Sequence, residues 1–86
     1  MPDILIYTTK ICPYCLMAKK LFEKKGASYS EINVDSKPEL RQEMMKKTQR
    51  RTVPQIFIGE FHVGGFDDLH ALEKRNELDQ LLTCAL

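Results

Sequence analysis

The chain has 86 residues, 43% of them hydrophobic and 29% charged. This is enough for one small domain, taken as residues 1–86, and too apolar for a disordered chain. Its 13 basic and 12 acidic side chains leave a formal charge of +1, which gives no electrostatic ground for a nucleic-acid partner or an anionic membrane.

No apolar run approaches the roughly 18–20 residues of a membrane span. Met1-Pro2-Asp3 lacks the basic and apolar regions of a secretory signal. The expectation is a cytoplasmic protein, in which a cysteine pair is catalytic or metal-binding rather than a structural staple.

In chain order, Ile4-Leu5-Ile6-Tyr7 is a short continuous apolar run, the pattern of a strand buried on both faces. A loop through Thr8-Thr9-Lys10-Ile11 leads to Cys12-Pro13. Pro13 fits the first turn of a helix, where a missing N–H costs nothing. Leu16, Met17, Leu21 and Phe22 then recur at helical spacing as the expected buried stripe, and Gly26 is the expected stop. A second strand is expected around Tyr29 to Val34. Ser36-Lys37-Pro38-Glu39 reads as a capping box opening a second helix, with Leu40, Met44 and Met45 on its buried side. Thr52-Val53-Pro54 enters a third strand, Gln55 to Ile58. Gly59-Glu60 reads as a two-residue hairpin turn, and Phe61-His62-Val63 returns. Gly64-Gly65 breaks that strand. Asp67 or Asp68 caps a third helix carrying Leu69 and Leu72, and a last short helix holds Leu78, Leu81 and Leu82. The order β-α-β-α-β-β-α implies a parallel pair made by a right-handed crossover, plus an antiparallel hairpin. The fold class is α/β, a four-stranded mixed sheet covered by helices on both faces.

The chemical signal is Cys12-Pro13-Tyr14-Cys15. Residues three apart share a helix face with Cβ atoms about 5–6 Å apart, whereas a disulfide needs about 3.5–4.5 Å. The gap closes if Cys12 is the N-cap, outside the helical backbone. There the free N–H groups of the first turn and the helix dipole favour a thiolate. Lowering a thiol pKa from ~8.5 to ~5 takes about 5 kcal/mol of preference for the thiolate. A helix end supplies ~0.3–2 kcal/mol, and a nearby solvated lysine such as Lys10 about 1–4 kcal/mol. Direct N–H···S bonds, one of them involving Cys15, are therefore needed as well. Cys15, one turn into the helix, keeps its proton more firmly and is the expected resolving thiol. A structural disulfide is a poor reading, because so short a loop removes little chain entropy. Zinc needs two more ligands. His62 and His70 have seven residues between them rather than the usual three to five, and Cys84 stands alone. The strand–CxxC–helix context points to redox chemistry.

With these residues in view, the sequence closely resembles the glutaredoxin family. Cys12-Pro13-Tyr14-Cys15 matches its dithiol active site, Thr52-Val53-Pro54 its TVP segment, and Gly64-Gly65-Phe66-Asp67-Asp68-Leu69 its GG-x-x-D segment. Thioredoxin's Trp-Cys-Gly-Pro-Cys is absent, and single-thiol glutaredoxins carry Ser where this chain has Cys15. Phe66 departs from the family, which often has a small residue or Cys there. The resemblance implies a thioredoxin fold and a glutathione-disulfide oxidoreductase that reduces protein disulfides and glutathione mixed disulfides through Cys12 and Cys15. Glutathione is then a co-substrate, and no cofactor or metal is bound permanently.

The resemblance also implies a glutathione receptor. A cis Val53–Pro54 bond turns the Val53 backbone toward the thiol, with Thr52 and Pro54 beside it. The N–H groups of Phe66 and Asp67, after Gly65, hold the γ-glutamyl carboxylate. Asp67 or Asp68 takes the ammonium group. Lys10 and Arg41 stand near the glycyl carboxylate, Tyr14 lines the thiol groove, and Gln49, Arg50 and Arg51 widen a positive rim. Plainer roles compete: a helix cap for Asp67 and Asp68, a solvated face for Arg50 and Arg51, surface positions for His62 and His70, core filler for the methionines, and a packing role for Cys84. The partners implied are glutathione and glutathionylated or disulfide-bonded proteins, ribonucleotide reductase among the candidates, acting on a monomer. The alternatives are a hydrogen donor recycled by thioredoxin reductase and a module holding zinc or an iron–sulfur cluster between two chains.

Overall fold

The computed structural model describes residues 3–83. It runs β1 (Ile4–Thr8), α1 (Pro13–Lys24), β2 (Ser30–Asn33), α2 (Pro38–Thr48), β3 (Gln55–Ile58), β4 (Phe61–Gly64), α3 (Phe66–Lys74) and α4 (Leu78–Thr83). The sheet order is β2-β1-β3-β4. β1 pairs in parallel with β2, with Ile6 opposite Glu31. β3 is antiparallel to β1 and β4 to β3. This is the expected α/β architecture, and Cys84 lies outside the described residues.

Side-chain alternation along the strands builds two layers. Ile4, Ile6, Ile56 and Ile58 face one side, where Ala18 and Phe22 of α1, Leu69 and Leu72 of α3, and Leu78 and Leu82 of α4 close the larger core. Tyr7 faces the other side with Val34 and Met44, and Leu5, Ile32, Leu40, Met45 and Phe57 pack round them under α2. The hairpin turn forms as read: Ile58 pairs with Phe61, and Gly59 takes φ 60°. Gly26 does stop α1. Its N–H donates to the Glu23 carbonyl and that of Ala27 to the Phe22 carbonyl, the two bonds of a Schellman motif.

Three local expectations are corrected. The buried residues of α1 are Cys15, Ala18 and Phe22, with Leu21 partly buried, while Leu16 and Met17 are 53% and 46% exposed. The helix is rolled so that Cys15, Ala18 and Phe22 turn inward, Ala18 and Phe22 into the core shared with Ile4 and Ile6. Met17 is therefore not core filler. The Ser36 capping box does not form. Lys37 is the N-cap with no side-chain bond, because Pro38 takes the first helical position, and the Ser36 hydroxyl donates to the Asn33 carbonyl at 2.8 Å. Finally, α3 begins at Phe66 with Gly65 as N-cap, and Asp68 acts from the third helical position, its Oδ2 accepting from the Gly65 N–H at 3.0 Å.

Candidate active site

β1 ends in the sheet and delivers the chain to Cys12, which is the N-cap of α1 with φ −152° and ψ 99°. Pro13 follows at the start of the helix and enforces that break. The extended backbone swings the Cys12 side chain back over the first turn, where its Sγ accepts from the Cys15 N–H at 3.2 Å. This is the N–H···S bond that the energetics required. In the thiol form, Cys12 donates to the Val53 carbonyl at 3.8 Å. The two neighbours differ sharply in setting. Cys12 is half-buried, whereas Cys15 is 2% exposed. Burial, reinforced by its hydrogen bond with Cys12, pushes the Cys15 thiol well up from its ordinary value.

The Val53–Pro54 bond is cis, as the family resemblance implied. Beside it opens a groove of about 340 Å³ lined by Tyr14 of α1, Arg50, Thr52, Val53 and Pro54 of the loop, and Gly65, Phe66, Asp67 and Asp68 at the start of α3. The Tyr14 and Phe66 rings stack with centroids 6.0 Å apart. Phe66 thus fills the departure from the family pattern with a ring that walls the groove.

Eight of the ten residues expected to bind glutathione come together here: Tyr14, Thr52, Val53, Pro54, Gly65, Phe66, Asp67 and Asp68. Lys10 and Arg41 do not line the groove. The Lys10 backbone N–H donates to Asp35 Oδ2 at 2.9 Å, and Arg41 Nη2 lies 3.7 Å from Asp35 Oδ1. Arg41 also donates to the Arg51 carbonyl at 3.3 Å, and Gln49 ends α2 in the left-handed conformation. Neither Gln49 nor Arg51 lines the groove. Arg50, read as a solvated face, does line it. Its Nη1 is 3.1 Å from Asp68 Oδ2. The Gly65 N–H and then Arg50 hold the Asp68 carboxyl below the usual carboxylate range. Both bonds fall on Oδ2.

One residue at this site escaped the sequence reading. Gln55 is fully buried in β3. Its Nε2 donates to the Thr52 carbonyl at 3.0 Å and to the Thr52 hydroxyl at 3.2 Å, and its Oε1 meets His62 Nε2 at 2.8 Å. The amide thereby ties the loop around Pro54 to the sheet. The available signal was a lone amide in an otherwise apolar strand. His62 is correspondingly half-buried, stacked on Phe57 at 4.8 Å, and burial and then Arg50 lower its pKa.

Residues 4–63 match the family model described as Glutaredoxin. A glutaredoxin of Pseudomonas aeruginosa is 58% identical over 83 residues, covering 96% of this chain and 99% of that protein. The solution structure of a Brucella melitensis glutaredoxin superposes with a TM-score of 0.87 at 52% identity, over 100% of this chain and 94% of the other. The crystal structure of a buckwheat glutaredoxin–glutathione complex gives a TM-score of 0.87 at 32% identity, over 93% and 76%. The chain belongs to the glutaredoxin family of thiol-disulfide oxidoreductases that use glutathione.

Proposed function

We propose that Cys12 is the nucleophile and Cys15 the resolving thiol of a deglutathionylating disulfide reductase, with the groove beside Pro54 as its glutathione receptor. The observation that carries this reading is the placement of the Cys12 sulfur: at the open end of α1, bonded by the Cys15 N–H, and 3.8 Å from the carbonyl of a groove-lining residue. The Cys12 thiolate attacks the glutathione sulfur of a protein–glutathione mixed disulfide. The S–S bond breaks, the protein thiolate leaves and takes a proton from water, and glutathione stays joined to Cys12. A second glutathione, as thiolate, attacks that glutathione sulfur, releases oxidised glutathione and restores the Cys12 thiolate. The net change consumes one free glutathione: the S–S bond passes from the protein–glutathione pair to oxidised glutathione, and the client thiol is released. For a protein disulfide, the Cys12 thiolate attacks one client sulfur and expels the other as thiolate; Cys15 then gives up its proton and attacks the Cys12 sulfur of that mixed disulfide, releasing the second client thiolate and leaving Cys12–Cys15 oxidised.

In the receptor, the Val53 backbone pairs with the cysteinyl unit, as an added strand does. The Phe66 and Asp67 N–H groups at the first two positions of α3 hold the γ-glutamyl carboxylate. Asp68 Oδ1, left free of the two bonds on Oδ2, takes the ammonium group. Glutathione serves as co-substrate rather than as a resident cofactor. The setting this chemistry suits is the cytosol, where client thiols are held reduced.

The test is turnover coupled to glutathione, glutathione reductase and NADPH, run on wild type, Cys12→Ser and Cys15→Ser. Cys12→Ser loses both reactions, on the order of 10³-fold or more. Cys15→Ser retains deglutathionylation and loses protein-disulfide reduction. Turnover by Cys12→Ser close to wild type overturns the assignment. So does reduction by thioredoxin reductase with none by glutathione, or a visible cluster absorption in anaerobically purified protein that accompanies an inactive thiol pair.

A further inference from the structure

A second groove, of about 290 Å³, runs along the seam between α1 and α3 and is lined by Met17, Lys20, Leu21, Lys24, Phe66 and His70. Phe66 lines both this groove and the one beside Pro54, so the two meet at a single ring. Met17, Leu21 and Phe66 make the floor apolar. Met17 is half exposed although it is one of the larger apolar side chains of the helix. Lys20 and Lys24 stand one turn apart on the rim, both exposed. Their neighbours are occupied: Lys19 pairs with Glu31 at 3.1 Å, and Lys25 with Glu73 and Asp79 at 2.8 and 2.7 Å. Among the described residues, Lys20 and Lys24 form no ion pair, and no carboxylate lines the groove. His70 stacks on Phe66 at 5.7 Å and adds no negative charge.

We propose that this seam docks the protein half of the mixed disulfide, as an extended client segment carrying acidic and apolar side chains. The proposal rests on the reading of Cys12 as the sulfur that receives glutathione. The glutathione half then occupies the groove beside Pro54, and the client chain leaves the reacting sulfur along α1. Positive rim, apolar floor and continuity with the thiol-side groove all select the same occupant. The spacing is also set. Lys20 is eight residues and Lys24 twelve residues beyond Cys12, which is about 12 and 18 Å along a helix. An extended chain advances about 3.3 Å per residue. Acidic client residues should therefore lie roughly four and five to six positions from the reactive cysteine.

The experiment compares two sets of short peptides with one glutathionylated cysteine and Leu at the third position on either side. One set has Glu at the fourth to sixth positions, the other Lys. The small mixed disulfide of glutathione and mercaptoethanol is the reference. Wild type should show KM for the Glu peptide roughly 3- to 10-fold below that for the Lys peptide, a gap that narrows in high salt. The Lys20→Glu/Lys24→Glu variant should close or reverse the gap and leave the small disulfide unchanged. Equal losses on all three substrates, or an undiminished preference for Glu, overturn the proposal. A dimer of the wild type in sedimentation that the double variant dissociates would assign the groove to a second copy and overturn it as well. Failure of wild type on the small disulfide would instead be failure of the Cys12 reading itself.

Discussion

Cys12 and Cys15 have the same side chain and opposite surroundings, because one precedes the helix and the other is inside it. The N-cap backbone leaves Cys12 reachable, and the first turn carries Cys15 inward to 2% exposure. Gln55 does comparable work without touching sulfur. Its NH₂ faces two acceptors on Thr52, so its oxygen must face His62, and His62 Nε2 must carry the proton. Replacing Gln55→Leu strips partners from the Thr52 carbonyl and from the ring N–H of half-buried His62 together. We expect a loss of about 2 kcal/mol in urea unfolding, with a rise in KM for glutathione as the Thr52–Pro54 segment loosens. A stability equal to wild type would show that the amide merely fills space.

Helix ends and turns position these residues, and they divide into those whose cause is local and those whose cause is not. Gly26 stops α1 and Gly59 turns the hairpin because each adopts positive φ at no steric cost, which makes both legible in the chain. Asn76, at φ 60°, ends α3 by the same pair of bonds that Gly26 makes, with Glu77 N–H on the Leu72 carbonyl. The start of α3 depends on contacts across the loop. Gly64 has φ 111°, and a Cβ there would run into the Asp68 carboxylate and the Arg50 guanidinium. Gly64→Ala should therefore displace Asp68 from the Gly65 N–H, costing about 1–3 kcal/mol and raising KM for glutathione more than it lowers kcat. Kinetics of the purified variant with glutathione varied checks this, and a change confined to kcat would count against it.

At the scale of the whole molecule, two carboxylates knit separate elements and make the fold acid-sensitive. Glu31 of β2 is held below the usual carboxylate range by the Thr8 hydroxyl at 2.6 Å and then by Lys19, against the opposing effect of burial. Asp68 is held down by the Gly65 N–H. A carboxyl whose folded pKa lies below its unfolded value stabilises the fold above the ordinary range near pH 4 and loses that contribution as pH falls through the folded value. Both groups are partly exposed, so each effect is modest. Urea midpoints should slip slightly below about pH 7, where the unfolded chain protonates His62 more readily than the fold does, and drop more steeply below about pH 5 as the carboxylates protonate. Glu31→Gln should start lower at pH 7 and show a shallower acid decline. An acid decline as steep as that of wild type would exclude Glu31 as a contributor.

The chain by itself determined the element order, the two-faced sheet and the pairing of Cys12 with Cys15, because apolar period, proline, glycine and a three-residue spacing act through near neighbours. It also carried the segments around Val53 and Phe66 that meet in the groove. Tertiary structure alone decided the roll of α1 that exposes Met17 and buries Ala18, the assignment of Lys10 and Arg41 to Asp35, and the entry of Arg50 into the groove. It decided Gln55 as well. Each of these depends on which of several similar polar or apolar groups finds a partner outside its own element, and no local pattern records that choice.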